Sequence, residues 1–171
     1  ELKKEKRVLE NKLFHSYEII GNSQSIEKVK SLINKLKNAE SRIFISGPAG
    51  SGKELVARQI HKQSLRSNKP FVVVNGALLD PQKYELELFG SENSNETTNF
   101  GFFEKAKDGT LLIDEVTEIP LETQAKILRV LIDQKFKRVN GSKEINVNVR
   151  IISTSSKNIR EEVDNGNFRE D

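Results

Sequence analysis

Gly47-Pro48-Ala49-Gly50-Ser51-Gly52-Lys53 stands between the apolar run Arg42-Ile43-Phe44-Ile45-Ser46 and the helical pattern Glu54-Leu55-Val56-Ala57-Arg58-Gln59-Ile60, so the stretch reads as strand, loop, helix. Spaced glycines let a backbone curl with its N–H groups pointing inward. That makes an anion cradle, to which the following helix adds its positive N-terminal end. Lys53 is then expected to reach the outer phosphates of a bound polyphosphate. The spacing G-x-x-x-x-G-K also arises by chance, as a glycine-rich turn before a helix. Two observations weigh against chance here. Strand and helix stand where the cradle needs them, and a second apolar run ends in two carboxylates at Leu111-Leu112-Ile113-Asp114-Glu115. One position departs from the general pattern: Glu54 stands where Ser or Thr would put a hydroxyl on magnesium, which leaves the cradle to backbone and lysine.

The acidic pair is the expected partner of such a loop. Asp114 is placed to meet a magnesium ion, directly or through water, and Glu115 to orient and deprotonate an attacking water. The bland alternative is a strand that merely ends in a solvated acidic pair.

The 171 residues fit one domain with a real core. With 28 basic against 25 acidic residues of interspersed sign, no broad nucleic-acid-binding field follows. Cysteine is absent, which excludes disulfides and thiolate metal sites and agrees with an expected cytoplasmic location. No apolar run approaches the roughly 18 residues of a membrane span, so no membrane partner is expected. His15 and His61 sit in charged contexts and read as solvated helical histidines. The chain opens without Met and stops amid charged residues, and is expected to be a piece of a longer protein.

Along the chain, residues 1–17 carry Leu2, Leu9 and Leu13 or Phe14 at roughly heptad spacing, which predicts a linker or dimerisation helix, with a solvated arm as the alternative. Ser23 or Ser25 caps a helix whose apolar positions step from Ile26 to Leu36. Phe71-Val72-Val73-Val74-Asn75 is a β-branched run suited to a parallel sheet covered on both faces, with Asn75 at its end facing a ligand crevice. Residues 91–100 form a polar stretch expected to be a mobile loop. Pro120 opens a helix over residues 121–134 with Leu121, Ala125, Leu128, Leu131 and Ile132 on one side. Asn140-Gly141 predicts a hairpin. The run Val149-Arg150-Ile151-Ile152-Ser153-Thr154 is another buried strand. Its polar end, Ser155 and Ser156, either senses an outer phosphate or caps a helix starting near Asn158.

The segments "GPAGSGKELVARQIH", "FVVVNGALL", "ELFG", "GTLLIDEV", "QAKILRVLIDQKFKRVNG", "VNVRIIS" and "NFRED" make residues 18–171 resemble the central AAA+ ATPase domain of bacterial enhancer-binding response regulators, the NtrC group. The resemblance implies an α/β fold, the P-loop NTPase three-layer α/β/α sandwich with a mainly parallel sheet, lacking the helical lid. In that family a glutamate after the loop lysine is usual. The resemblance further implies that Gly47, Pro48, Ala49, Gly50, Ser51, Gly52, Lys53 and Glu54 hold ATP, that Asp114 is the magnesium ligand, and that Glu115 activates water. It implies that Asn75 holds Glu115 in an inactive pose, and that Arg169 is an arginine offered in trans to a neighbouring subunit. Ile19-Ile20-Gly21 would lie against adenine. Ser155 and Ser156 occupy the first sensor, where the family usually has Thr-Asn.

The loop after Phe89-Gly90 lacks the Gly-Ala-Phe-Thr-Gly-Ala motif of members that remodel sigma-54 polymerase. With "LIDQKFKRVNG" and "RIISTSSKNI", this points to the NtrX branch, partner of an NtrY sensor kinase. A receiver, a lid and a C-terminal DNA-binding helix-turn-helix would then lie outside this sequence. The implied activity is ATP hydrolysis in a homo-oligomer, a dimer or hexameric ring, with a non-hydrolysing, ATP-responsive dimerisation module as the alternative. An unrelated P-loop kinase or motor would leave "NFRED" and "QAKILRVL" unexplained.

Overall fold

A computed structural model describes residues 17–92 and 98–171. The expected helix over residues 1–17 therefore lies outside the described residues except for Tyr17, as do His15 and residues 93–97 of the polar stretch.

Four strands form one parallel sheet: β1 (Ile43–Ser46), β2 (Phe71–Asn75), β5 (Thr110–Asp114) and β8 (Arg150–Ser155), in the order β1-β8-β5-β2. Because all four run the same way, Ser46, Asn75, Asp114 and Ser155 finish along one edge. Asn75 lies level with Asp114, and Ser46 with Ser155. The near-continuous apolar runs of β2, β5 and β8 are explained by burial on both faces. Side chains alternate across the sheet. Leu111, Ile113 and Ile151 enter one core with Leu88, Phe89, Phe103, Ile127 and Phe136. Leu112 and Ile152 enter the other with Ile33, Ala57 and Ile60.

The helices that cover these faces complete the three-layer α/β/α sandwich. On one side lie α1 (Gln24–Leu36), capped by the Ser23 hydroxyl accepting from the Ile26 N–H, and α2 (Lys53–Lys62). On the other lie α3 (Tyr84–Phe89), α4 (Phe102–Lys105) and α5 (Leu121–Asp133). A short antiparallel pair, β3 (Ser91–Glu92) with β4 (Thr98–Asn99), flanks them. The predicted hairpin is present as β6 (Lys135–Lys137) with β7 (Glu144–Asn146), Asn140 adopting φ 60° at its turn. Arg138 ties the two pairs together: its guanidinium meets Glu104 at 2.6 and 2.8 Å and Glu92 at 2.6 Å. The last helix, α6 (Ile159–Asp164), is capped by the Asn158 side chain. No helix among the described residues is long and apolar enough to cross a membrane.

Two expectations need correction. The buried side of α5 carries Thr123, Gln124, Ile127 and Val130, whereas Leu121 and Ile132 of the expected face are exposed. Gln124 can turn inward because it spends its amide on backbone, donating to the carbonyls of Ile119 and Asn167 and accepting from the Arg169 N–H. His61 is buried rather than solvated: its Nδ1 lies 2.9 Å from the Thr110 hydroxyl, with Phe71 against its ring.

Candidate functional site

The loop that leaves β1 turns back at the edge where the strands end, held by the Gly47 N–H on the Ser155 carbonyl at 3.3 Å. Gly50 and Gly52 adopt φ 76° and 87°, a left-handed backbone that other residues enter only at a cost. Gly52 is also the N-cap of α2 and supplies no side-chain cap, so the first-turn N–H groups of that helix have no side-chain acceptor at the N-cap. Lys53, buried at the first helical position, folds over the loop. Its Nζ donates to the carbonyls of Gly47 at 3.0 Å and Pro48 at 3.2 Å, and it pairs with Glu115 Oε1 at 3.4 Å. Glu54 turns away to pair with Arg58 at 2.7 Å, and Arg58 in turn lies over the rings of Tyr17 and Phe71.

The two carboxylates are separated by a change of backbone. Asp114 ends β5 in line. Its Oδ1 accepts from the Thr154 hydroxyl at 2.5 Å and its Oδ2 from Asn75 Nδ2 at 2.9 Å, the Asn75 amide being oriented by Ala77 N–H on its oxygen. Glu115 then adopts φ 52° and ψ 54°, with its N–H on Thr154 Oγ1 at 3.1 Å. Its Oε2 accepts both the N–H and the hydroxyl of Ser156, each at 2.8 Å. Burial alone would raise this carboxyl, but the two Ser156 bonds and the Lys53 ammonium outweigh it and hold Glu115 below the usual carboxylate range.

The sequence-predicted residues thus divide. Lys53, Asp114, Glu115, Asn75 and Ser156 converge, but not with the partners expected. Asn75 bonds Asp114 and not Glu115, because the left-handed turn carries Glu115 toward β8, where Ser156 takes it. Ser155 does not face the site: it is fully buried, its hydroxyl engaged by Thr117 and the Lys157 backbone. Neither serine caps α6, since Asn158 does so itself. Ile20 is exposed, and the Gly21 carbonyl accepts from Lys30 at 2.7 Å. Arg169 is exposed and paired with Asp171, its backbone fixed by Gln124. Thr154, central to both carboxylates, carried no motif of its own in the sequence; the signal was only its place one residue before the serine pair.

A magnesium ion fits this donor set as it does beside phosphates. Among the described residues no group of three or more His, Cys, Asp or Glu forms a protein cage. Magnesium, however, commonly takes one or two carboxylates and completes its shell with water and phosphate oxygens. Asp114, with one donor on each oxygen, keeps free lone pairs for it.

Residues 19–171 match the sigma-54 interaction domain family. The nitrogen assimilation regulatory protein NtrX of Azorhizobium caulinodans is 42% identical over 171 residues, covering 99% of this chain and 37% of its own length, so the chain spans well under half of that relative. Crystal structures of NtrX from Brucella abortus in complex with ADP and with ATP superpose with TM-scores of 0.89 and 0.84 at 45% and 44% identity. They cover 99% of this chain and 38% and 41% of theirs. The P-loop NTPase domain of a sigma-54 transport activator from E. coli, at 18% identity and a TM-score of 0.57 over 85% of this chain and 84% of its own, shares the fold. The chain therefore belongs to the sigma-54 interaction domain family of NtrC-type regulators.

Proposed function

We propose that this domain binds ATP across residues 47–53 and hydrolyses it when assembled with copies of itself, as the central module of a response regulator of NtrX type that controls transcription. The observation that carries the reading is the meeting of Lys53 with Glu115 at 3.4 Å over a left-handed glycine loop, with Asp114 one residue away. The nucleotide complexes of the Brucella relative support it.

The chemistry follows from the contacts. Lys53 satisfies its ammonium with two loop carbonyls and Glu115. A polyphosphate in the cradle is the stronger acceptor, and its capture of Lys53 frees Glu115 Oε1 while Ser156 keeps Oε2 anchored. One pinned and one free oxygen is the arrangement a general base needs to orient and deprotonate water. Asp114 would hold magnesium, which supplies charge neutralisation on the phosphates. Gly21 and Ile20 would border the adenine. Arg169 is offered to the ATP of a neighbouring copy, on a segment whose backbone Gln124 fixes.

Residues 1–17 act in this reading as the dimerisation linker, and residues 18–171 as the nucleotide-binding unit. Partners are a sensor kinase of NtrY type and DNA, each through further domains, in the cytoplasm. The stretch over residues 91–100 lacks the motif that engages sigma-54, so the domain drives oligomerisation rather than polymerase remodelling.

The second reading, an ATP-responsive module that does not hydrolyse, is favoured by one observation: Ser155 and Ser156 are both spent on protein groups rather than turned toward a phosphate. The test is ATP turnover by the full-length protein against its concentration. The ATPase reading expects turnover per subunit to climb with concentration and to vanish in Lys53→Ala and Glu115→Ala. Rates indifferent to both substitutions would refute it, and tight ATP binding with negligible turnover would select the second reading.

A further inference from the structure

We infer that Thr154 is a positioning residue for both carboxylates, its single hydroxyl fixing Asp114 for a metal and Glu115 for water at the same time. This rests on the ATPase reading above.

Thr154 lies on β8, between β1 and β5, and is 0% exposed. Its Oγ1 donates to Asp114 Oδ1 at 2.5 Å and accepts from the Glu115 N–H at 3.1 Å. A hydroxyl has one proton to give and lone pairs to receive, so this atom can serve a side chain and the following backbone at once. The donated bond sets the rotation of the Asp114 carboxylate, with Asn75 on the other oxygen. The accepted bond holds the amide at the point where the chain enters the left-handed conformation of Glu115, φ 52°. That conformation is uncommon for a glutamate and costs free energy that local contacts must offset. It is this turn that sends Glu115 across to Lys53 and Ser156 instead of leaving it in line with Asp114. Removing the hydroxyl leaves a half-buried N–H without its acceptor and lets the Asp114 carboxylate rotate, so two functions should fail together.

The neighbouring hydroxyls do not substitute. Ser155 points to Thr117, and Ser156 reaches only the far end of the Glu115 side chain.

Two substitutions separate positioning from packing. Thr154→Val keeps the shape and loses the hydroxyl, whereas Thr154→Ser keeps the hydroxyl and loses a buried methyl. In the full-length protein, thermal stability should fall in the serine variant through the small cavity, while kcat should fall on the order of tenfold in the valine variant with KM for ATP little changed. A second measurement does not depend on turnover: affinity for a fluorescent ADP with and without magnesium. The gain that magnesium confers should shrink in the valine variant and persist in the serine variant. The inference is overturned if the serine variant, which keeps the hydroxyl, loses kcat as far as the valine variant does, or if the valine variant keeps both its kcat and its magnesium gain. Should wild type turn over no faster than Lys53→Ala, the ATPase reading fails on its own. The magnesium gain then decides the role of Thr154: an unchanged gain in the valine variant refutes it, and a lost gain upholds its hold on Asp114.

Discussion

Acid should loosen this domain through one histidine, and the size of the effect can be worked out. His61 sits in the last turn of α2, 7% exposed, with Nδ1 2.9 Å from Thr110 Oγ1 and its ring 5.0 Å from that of Phe71. Burial pushes its pKa below the ordinary 6.5. A bond with the Lys69 backbone opposes that, and the nearby Arg150 and Arg58 guanidiniums push the same way as burial. The sign follows by linkage. As the pH falls, the unfolded chain takes up this proton before the folded one does, so stability is fully present above about 6.5 and is lost progressively below it, down to the folded value. One proton gives a limiting slope of about 1.4 kcal/mol per pH unit. Between about pH 7.5 and about pH 5.5 only the last unit counts, so the loss is at most about 1.4 kcal/mol. The assay is urea unfolding of wild type and His61→Gln, whose amide can still bond Thr110 but does not titrate, at both pH values. Every other ionisable group is common to the two proteins, so the comparison isolates His61. The stability of wild type relative to the variant should fall on acidification, by no more than that amount. A difference that stays constant would refute the buried, depressed histidine. The functional stake is that α2 carries Lys53 at its other end and β5, starting at Thr110, carries Asp114.

Two further outcomes are expected. Gln124→Leu removes donors from the Ile119 and Asn167 carbonyls and the acceptor of the Arg169 N–H. It should cost about 1–3 kcal/mol in unfolding and lower ATP turnover while nucleotide affinity holds, as measured by calorimetric titration. Arg138→Leu strands Glu104, whose side chain is 11% exposed. A loss of about 3 kcal/mol is expected in denaturant unfolding, and Arg138→Leu with Glu104→Gln should be more stable than Arg138→Leu alone.

The sheet and the loop were legible because each rests on local chemistry. Apolar β-branched runs can be buried on both faces, and spaced glycines before a lysine permit the left-handed turns that an anion cradle needs. The orientation of α5 was not legible. Apolar residues lie on more than one side of it, and the deciding contact is made by Gln124, a polar residue, with a segment more than forty positions away. His61 was misread for a related reason. Its charged sequence neighbours say nothing of Thr110, which reaches it only through the packing of α2 on the sheet. Within the site, residue types were readable and partners were not, since Glu115 left the strand direction by a backbone turn that no glycine announced.

The end of β8 makes the same point in one line of sequence. Ser153-Thr154-Ser155-Ser156 looks like an undifferentiated polar run. In an extended strand, alternate residues share a side, and the hydroxyls sort accordingly. Thr154 and Ser156 both serve the carboxylate pair, while Ser155 between them turns to Thr117. Register therefore matters here as much as composition. A one-residue slip of β8 against β5 would present Ser155 to Asp114 and Glu115 and turn Thr154 and Ser156 away, although the sequence of hydroxyls would be almost the same. The pairing of Ile113 with Ser153 fixes that register from the apolar part of the strands. Core packing of Ile151 and Ile152 on opposite faces is thus what places two hydroxyls, and through them Asp114 and Glu115, at the phosphate loop.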